Sequence, residues 1–250
     1  MEATNEIPEE LFTFFEAMPR QGPGSEAVTG ALFERFQSML PENSVAADMG
    51  CGTGAAGLVL ADAGVTVTGV DIHRPFLETF ERHAAERGLS NRVSTRLAGM
   101  TESGIAPASL DLIWSEGAVF TVGFDAALEA FWHLAKPGAL AVVSECVWLQ
   151  EQVPEVLRSF WNQAYPGMRT AGENIRATET AGYRFVHAEV LPSEIWESDF
   201  YQPIETMMAR MDRDISPGMQ AILTEQEEEI ALFRQFNHLY GYVFHVFLRP

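Results

Sequence analysis

The sequence predicts an α/β protein: one mainly parallel sheet with helices packed on both faces. Short apolar runs alternate with helical patterns between residues 45 and 144. A glycine-rich turn follows the first of those runs directly, and no internal repeat, low-complexity tract or flexible linker divides the chain. Parallel neighbours cannot be joined by a tight hairpin, so each pair of strands needs a crossover, and a helix is the usual one.

The elements follow in order. From about Glu6 to Ala17, Leu11, Phe14 and Phe15 recur at helical spacing and predict a short amphipathic helix. Arg20-Gln21-Gly22-Pro23-Gly24-Ser25 breaks the chain, with Ser25 placed to cap a helix through Val28, Leu32, Phe36 and Met39 that stops before Pro41. Val45–Met49 is the first strand, Ala55–Ala63 a helix and Val65–Val70 the second strand. A helix starts near Pro75, a good first-turn residue, and runs through Leu77, Phe80 and Ala84 to Gly88. Val93, Thr95 and Leu97 alternate as a third strand and Leu110–Trp114 forms a fourth. Asp125 is expected to cap a helix closed by Lys136-Pro137-Gly138, before a fifth strand at Ala139–Ser144. Two strands remain, Tyr183–Leu191 and Gly241–Leu248, separated by a strandless insert. That insert is longer than a crossover requires, and part of it reads as a helical cover rich in Trp196, Phe200, Tyr201, Met207, Met208 and Met211.

Composition narrows the partners. With 250 residues and 47% hydrophobic side chains, one domain spanning 1–250 is expected, with residues 1–40 as an N-terminal helical cap and 193–240 as the insert. Sixteen basic against thirty-five acidic residues give a net charge of −19, and no Lys/Arg cluster appears, so nucleic acid and anionic membrane are not expected partners. Cys51 and Cys146 are too few for a disulfide framework or a four-cysteine zinc site, and no histidines have ligand spacing, so no metal is expected. Met1–Glu6 lacks signal-peptide character and no apolar run is long enough to span a bilayer, which makes the cytoplasm the expected compartment.

The sharpest feature is Asp48-Met49-Gly50-Cys51-Gly52-Thr53-Gly54, with Asp71 at the end of the second strand. Glycines let a turn approach a ligand closely, and a carboxylate at a strand's carboxyl end can accept both hydroxyls of a ribose. Gly52-Thr53-Gly54-Ala55-Ala56-Gly57 also satisfies G-x-G-x-x-G, so an NAD-dependent oxidoreductase is a rival reading. Three observations favour S-adenosylmethionine (SAM) instead. Asp48 sits inside the first strand where a cationic amino group can be received, the glycines recur as Gly50-x-Gly52-x-Gly54, and the chain ends in a late strand pair. The rival also lacks a Tyr-x-x-x-Lys constellation here.

Together with Gly69-Val70-Asp71-Ile72, Ala98-Gly99-Met100, Leu110-Asp111-Leu112-Ile113-Trp114 and Leu134-Ala135-Lys136-Pro137-Gly138, this set resembles the class I SAM-dependent methyltransferases over about residues 20 to 192. Arg20 to Ser25, Trp114-Ser115-Glu116-Gly117-Ala118 and Ser144-Glu145 are similar to a bacterial group of stand-alone small-molecule methyltransferases. The resemblance implies a Rossmann-like seven-stranded sheet in the order 3-2-1-4-5-7-6, its last strand antiparallel. It implies SAM as cofactor and S-adenosylhomocysteine as product. Gly50, Gly52 and Gly54 would border the methionine part of SAM, Asp48 its amino group and Asp71 the ribose. Ile72 and Met100 would flank the adenine. Gly99 stands where many relatives carry an acidic residue, which leaves backbone groups to hold the adenine amine.

Residues after the fourth and fifth strands should face the transferred methyl: Ser115, Glu116 and Gly117, then Glu145, Cys146, Val147 and Trp148. Two carboxylates beside an aromatic suggest a small-molecule amine or another partly cationic acceptor, with Glu116 and Glu145 as catalytic candidates and Gly117 and Trp148 as lining. The bland reading of each carboxylate is a hydrogen bond to nearby backbone. A SAM-binding protein without catalysis is the second rival. Cys51 and Cys146 read as packing residues, and His73 as a ribose contact or a helix-start residue. The Glu225-Gln226-Glu227-Glu228-Glu229 run reads as a solvated helix face. Phe12, Phe14 and Phe15 suit a lid, the core or a homodimer contact equally.

Overall fold

The computed structural model describes residues 8–211 and 214–250. Seven strands form one sheet: β1 Val45–Met49, β2 Thr66–Asp71, β3 Val93–Leu97, β4 Leu110–Glu116, β5 Ala135–Trp148, β6 Arg184–Val190 and β7 Tyr240–Leu248. Their order is β3-β2-β1-β4-β5-β7-β6, as the resemblance implied. β1 to β5 pair in parallel, whereas β7 runs antiparallel to both β5 and β6. That reversed strand is incompatible with the second parallel half of a dinucleotide-binding fold.

Because successive side chains of a strand point to opposite faces, each central strand feeds two cores. Leu112 and Trp114 join Leu140, Val142 and Phe244 on one face, under α2 (Glu26–Phe36), α3 (Ala55–Asp62) and α4 (Arg74–Glu86). Ile113, Ala141, Val143 and Phe247 join the other, under α5 (Phe124–Leu134). The predicted opening helix is α1, Glu9–Glu16; Glu6 and the rest of the Met1–Glu6 start lie outside the described residues. Ser25 caps α2 as expected, its hydroxyl accepting from the Val28 N–H at 3.2 Å.

Two boundaries differ from the sequence reading. Asp125 does not cap α5. Gly123, at φ +87°, holds that position, and Asp125 sits in the first turn bonded twice to Arg169 at 2.8 and 2.6 Å. Lys136-Pro137-Gly138 does not separate helix from strand either, since β5 already begins at Ala135, and it runs on to Trp148. The extension at the far end has a partner: β7 pairs with β5 from Leu140↔Leu248 to Trp148↔Tyr240, beyond the last β4 pair, Glu116↔Ser144.

Two helices follow β5, α6 (Glu155–Ala164) and α7 (Ala171–Thr180); a reciprocal cap between Thr170 and Glu173 starts α7. The insert between β6 and β7 is helical, as expected. It holds the short α8 (Ser193–Trp196), one π turn at Glu197–Tyr201, α9 (Gln202–Met208) and α10 (Pro217–Phe236). Trp196, Phe200, Tyr201, Ile204, Ile230 and Phe233 are buried in the first core, so the insert is cover and core together. The acidic run of α10 is not wholly solvated. Gln226 is buried, and Glu229 accepts a 2.6 Å hydrogen bond from the Tyr201 hydroxyl.

Candidate active site

The turn after β1 is left-handed at three places, with φ +70° at Gly50, +52° at Gly52 and +85° at Gly54. Each glycine also clears a protein neighbour. A Cβ on Gly50 would lie 2.4 Å from that of Ala118, and one on Gly52 would lie 2.4 Å from Gln21 Oε1. A Cβ on Gly54 would lie 2.0 Å from the Phe80 ring, and the same ring excludes side chains at Gly57 and Gly69. One buried phenyl ring therefore holds the turn, α3 and β2 together.

Two carboxyls bracket the turn. Asp48 is 2% exposed and accepts the Gly57 N–H at 2.8 Å. Burial first, then the charge of Glu116, pushes its pKa up to about 8. Asp71 accepts the Gly52 N–H on Oδ2 and the His73 N–H on Oδ1, both at 2.9 Å. Burial raises its pKa while those backbone bonds oppose the rise. A carboxylate oxygen has two lone pairs, so both Asp71 oxygens retain capacity for a ligand hydroxyl.

Beside them, Ile72 is 55% exposed, whereas Met100 is buried with its Cε close beneath Gly50. Gly99 precedes the short 3₁₀ turn that carries Met100. Ser115 is fully buried, and its hydroxyl donates to the Met49 carbonyl at 2.7 Å, tying β4 to β1.

A strap formed by residues 17 to 25 crosses this turn. The Gln21 carbonyl oxygen accepts from Thr53 N at 2.9 Å and Thr53 Oγ1 at 3.0 Å. Arg20 donates to the Gly22 carbonyl at 2.7 Å and to Glu116 Oε2 at 2.9 Å. α1 continues the cover: His73 stacks on Phe12 with centroids 4.3 Å apart and bonds Glu16 at 2.6 Å. Sequence reasoning missed Arg20 and Gln21 as site residues. The signal was the Arg-Gln-Gly-Pro-Gly break, read there as punctuation and as part of a resemblance.

The two expected acceptor carboxylates are not brought together. Glu116 shares the Trp114 face and accepts from Arg20, from the Thr29 hydroxyl at 2.7 Å and from Trp114 Nε1 at 2.7 Å. Glu145 has the opposite strand parity, one residue past the Glu116↔Ser144 pair. It is 1% exposed, its Oε2 has no hydrogen-bond partner among the described residues, and burial lifts its pKa to about 8 against the weaker effects of Tyr165 and Arg169. Gly117 donates its N–H to Ser144 Oγ at 2.9 Å and lies against Tyr242. Trp148 is half-buried under Arg158 and edge-on to Tyr240. Both cysteines are buried free thiols, and burial raises the pKa of each well above its ordinary value, so neither is an ionised nucleophile.

Known proteins agree with this architecture. Residues 46–138 match the family described as "Methyltransferase domain". The methyltransferase GfsG of Streptomyces halstedii is 29% identical over 124 residues, which span 49% of this chain and 44% of that protein; the match thus covers under half of that relative's length. A SAM-dependent methyltransferase from Geobacter sulfurreducens, solved with S-adenosylhomocysteine, superposes at a TM-score of 0.81 with 16% identity, covering 98% of this chain and 99% of that one. YjhP from E. coli superposes at 0.80 with 22% identity, covering 96% and 100%. Residues 46–138 thus resemble a methyltransferase domain, and the strand order with its reversed β7 is the fold shared with those solved structures.

Proposed function

We propose that the chain transfers a methyl group from SAM to a small-molecule amine. The observation that carries this reading is the pair of carboxyls around the glycine turn, Asp48 behind it and Asp71 in front, at the carboxyl ends of β1 and β2. They fit the two polar ends of this cofactor. Asp71 has lone pairs for the ribose hydroxyls, and Asp48 is a buried carboxyl whose proton an incoming ammonium would displace. Exposed Ile72 offers an apolar platform for the adenine, with Met100 and Gly99 on the opposite loop.

When bound, SAM supplies an electrophilic methyl group on a sulfonium. The site would hold the amine nitrogen in line with that methyl, so that transfer would leave the carbon–sulfur electron pair on S-adenosylhomocysteine. The nitrogen's surplus proton would leave to solvent, with Glu145, neutral through burial, offering a hydrogen bond to the acceptor. Glu145 suits the amine because it is a buried carboxyl with an open oxygen, while nearby Arg169 is committed to Asp125. Glu116 enters as a positioning residue that holds Arg20 and the strap, and Gly117 and Trp148 line the acceptor side. Alignment of nucleophile and methyl supplies up to roughly 7–11 kcal/mol of the barrier reduction in favourable cases.

Calorimetric titration with SAM, S-adenosylhomocysteine and NAD, repeated on Asp71→Ala, tests the cofactor assignment. SAM and its product bind and the variant loses that binding at least about tenfold, equivalent to about 1.4 kcal/mol. Binding of NAD alone overturns the assignment.

A further inference from the structure

The strap over the glycine turn carries a cation whose donors are not all used. The Arg20 side chain is 12% exposed and that of its partner Glu116 6%, so the pair is largely out of water. One bond joins them, Nη2 to Oε2 at 2.9 Å, while Glu116 Oε1 accepts from the Thr29 hydroxyl and from Trp114 Nε1. Arg20 Nε is turned to the Gly22 carbonyl. A guanidinium has five N–H donors, so three stay without a partner among the described residues, both of those on Nη1 included. Such a fork can take a carboxylate through two parallel bonds, and Glu116 leaves it free to do so.

The surroundings fix where these donors lie. Gln21, the next residue, fastens the strap to Thr53 N and Thr53 Oγ1, beside Gly52 and Gly54. Gly22 lies against the other wall, where an added Cβ would sit 4.0 Å from Gly117 Cα. A Cβ on Gly24, at φ +147°, would lie 2.5 Å from Arg20 Nη2, so the chain is bare where the guanidinium reaches Glu116. Arg20 is thus held between the glycine turn and the end of β4. Asp48 stands behind the same turn. Burial raises its pKa to about 8, the charge of Glu116 adds to that rise and the charge of Arg20 opposes it, so the three groups share one neighbourhood.

Two acids and one cation there complement a zwitterion. The methionine end of SAM carries an ammonium and a carboxylate on the same carbon, and the reading above gives the ammonium to Asp48. The carboxylate then needs a cation close by, all the more in a chain of net charge −19 whose general field repels it. We propose that Arg20 binds the carboxylate of SAM and of S-adenosylhomocysteine through its free N–H groups. This rests on the SAM reading above and makes the strap part of the cofactor site. Arg20 keeps Glu116 as it does so, because the two carboxylates use different N–H groups.

The test titrates the full chain with S-adenosylhomocysteine and with its decarboxylated analogue, which keeps the amino group and lacks only the carboxylate. The parent binds S-adenosylhomocysteine about tenfold to a hundredfold more tightly, the worth of a hydrogen bond between charged groups. In Arg20→Gln that preference disappears, because affinity for S-adenosylhomocysteine falls while affinity for the analogue holds. A role confined to the fold weakens both compounds alike and keeps the preference, which overturns the proposal. Arg20→Lys, which retains a charge for Glu116 but not the fork, decides the matter if the glutamine variant does not fold: its preference falls below that of the parent, and an unchanged preference overturns the proposal. Binding of both compounds to the parent with equal affinity refutes the role of Arg20 alone. Binding of neither refutes the SAM reading, and the role of Arg20 with it.

Discussion

At the residue scale, Asp48, Glu145 and Glu229 are carboxyls held in protonated form by burial, with pKa values of about 8, 8 and 7 against ordinary values of 3.8, 4.5 and 4.5. The folded state therefore keeps protons that the unfolded chain has released, and stability falls as pH rises through that range. His245 acts oppositely. Its fully buried ring has no side-chain hydrogen-bond partner among the described residues and burial drops its pKa to about 4, so it costs stability as pH falls below 6.5. Between pH 6.5 and 8.5 the buried carboxyls dominate, and the ligand-free protein melts at a lower temperature at about pH 8.5 than at pH 6.5. A melting temperature that rises over that interval contradicts the assignment of buried acids. Gly54→Ala tests the turn: a left-handed alanine costs about 1–2 kcal/mol and the clash with Phe80 about 1–3 kcal/mol more, read as a drop in the denaturant midpoint.

At the element scale, the strap and the helical insert hold the strand ends in place. Glu116 stitches α2, β4 and the strap through Thr29, Trp114 and Arg20. Glu116→Gln keeps shape but loses the charge that pairs with Arg20, so turnover falls more than affinity for SAM. Steady-state kinetics beside calorimetry separates the two, and unchanged turnover excludes the role. The strands and crossover helices were legible in the sequence because each carries its own period and its own stop, as at Val45–Met49 or Pro75. The strap was not, because its purpose lies in distant partners: Gln21 reads as a loop residue until Thr53 is folded against it. Glu116 and Glu145 looked like a pair because sequence gives the strand ends, while pleat parity and register decide the face. Glu229 was hidden in an acidic run for a similar reason, since only the packing of α8 and the π turn brings Tyr201 to it.

At the scale of the whole molecule, sixteen basic against thirty-five acidic residues give the chain a negative field that repels anions. The sheet order has a further meaning for how the chain comes to be folded. β7 is last in sequence yet lies between β5 and β6, where its nine residues pair on both sides. During synthesis, β1 to β5 can join as they leave the ribosome, but β6 must wait with no neighbour and β5 with one open edge. The Cys146–Trp148 end of β5 gains its strand partner only once β7 arrives. Until then the nascent chain exposes an unpaired strand edge, which the insertion of a single strand closes on both sides.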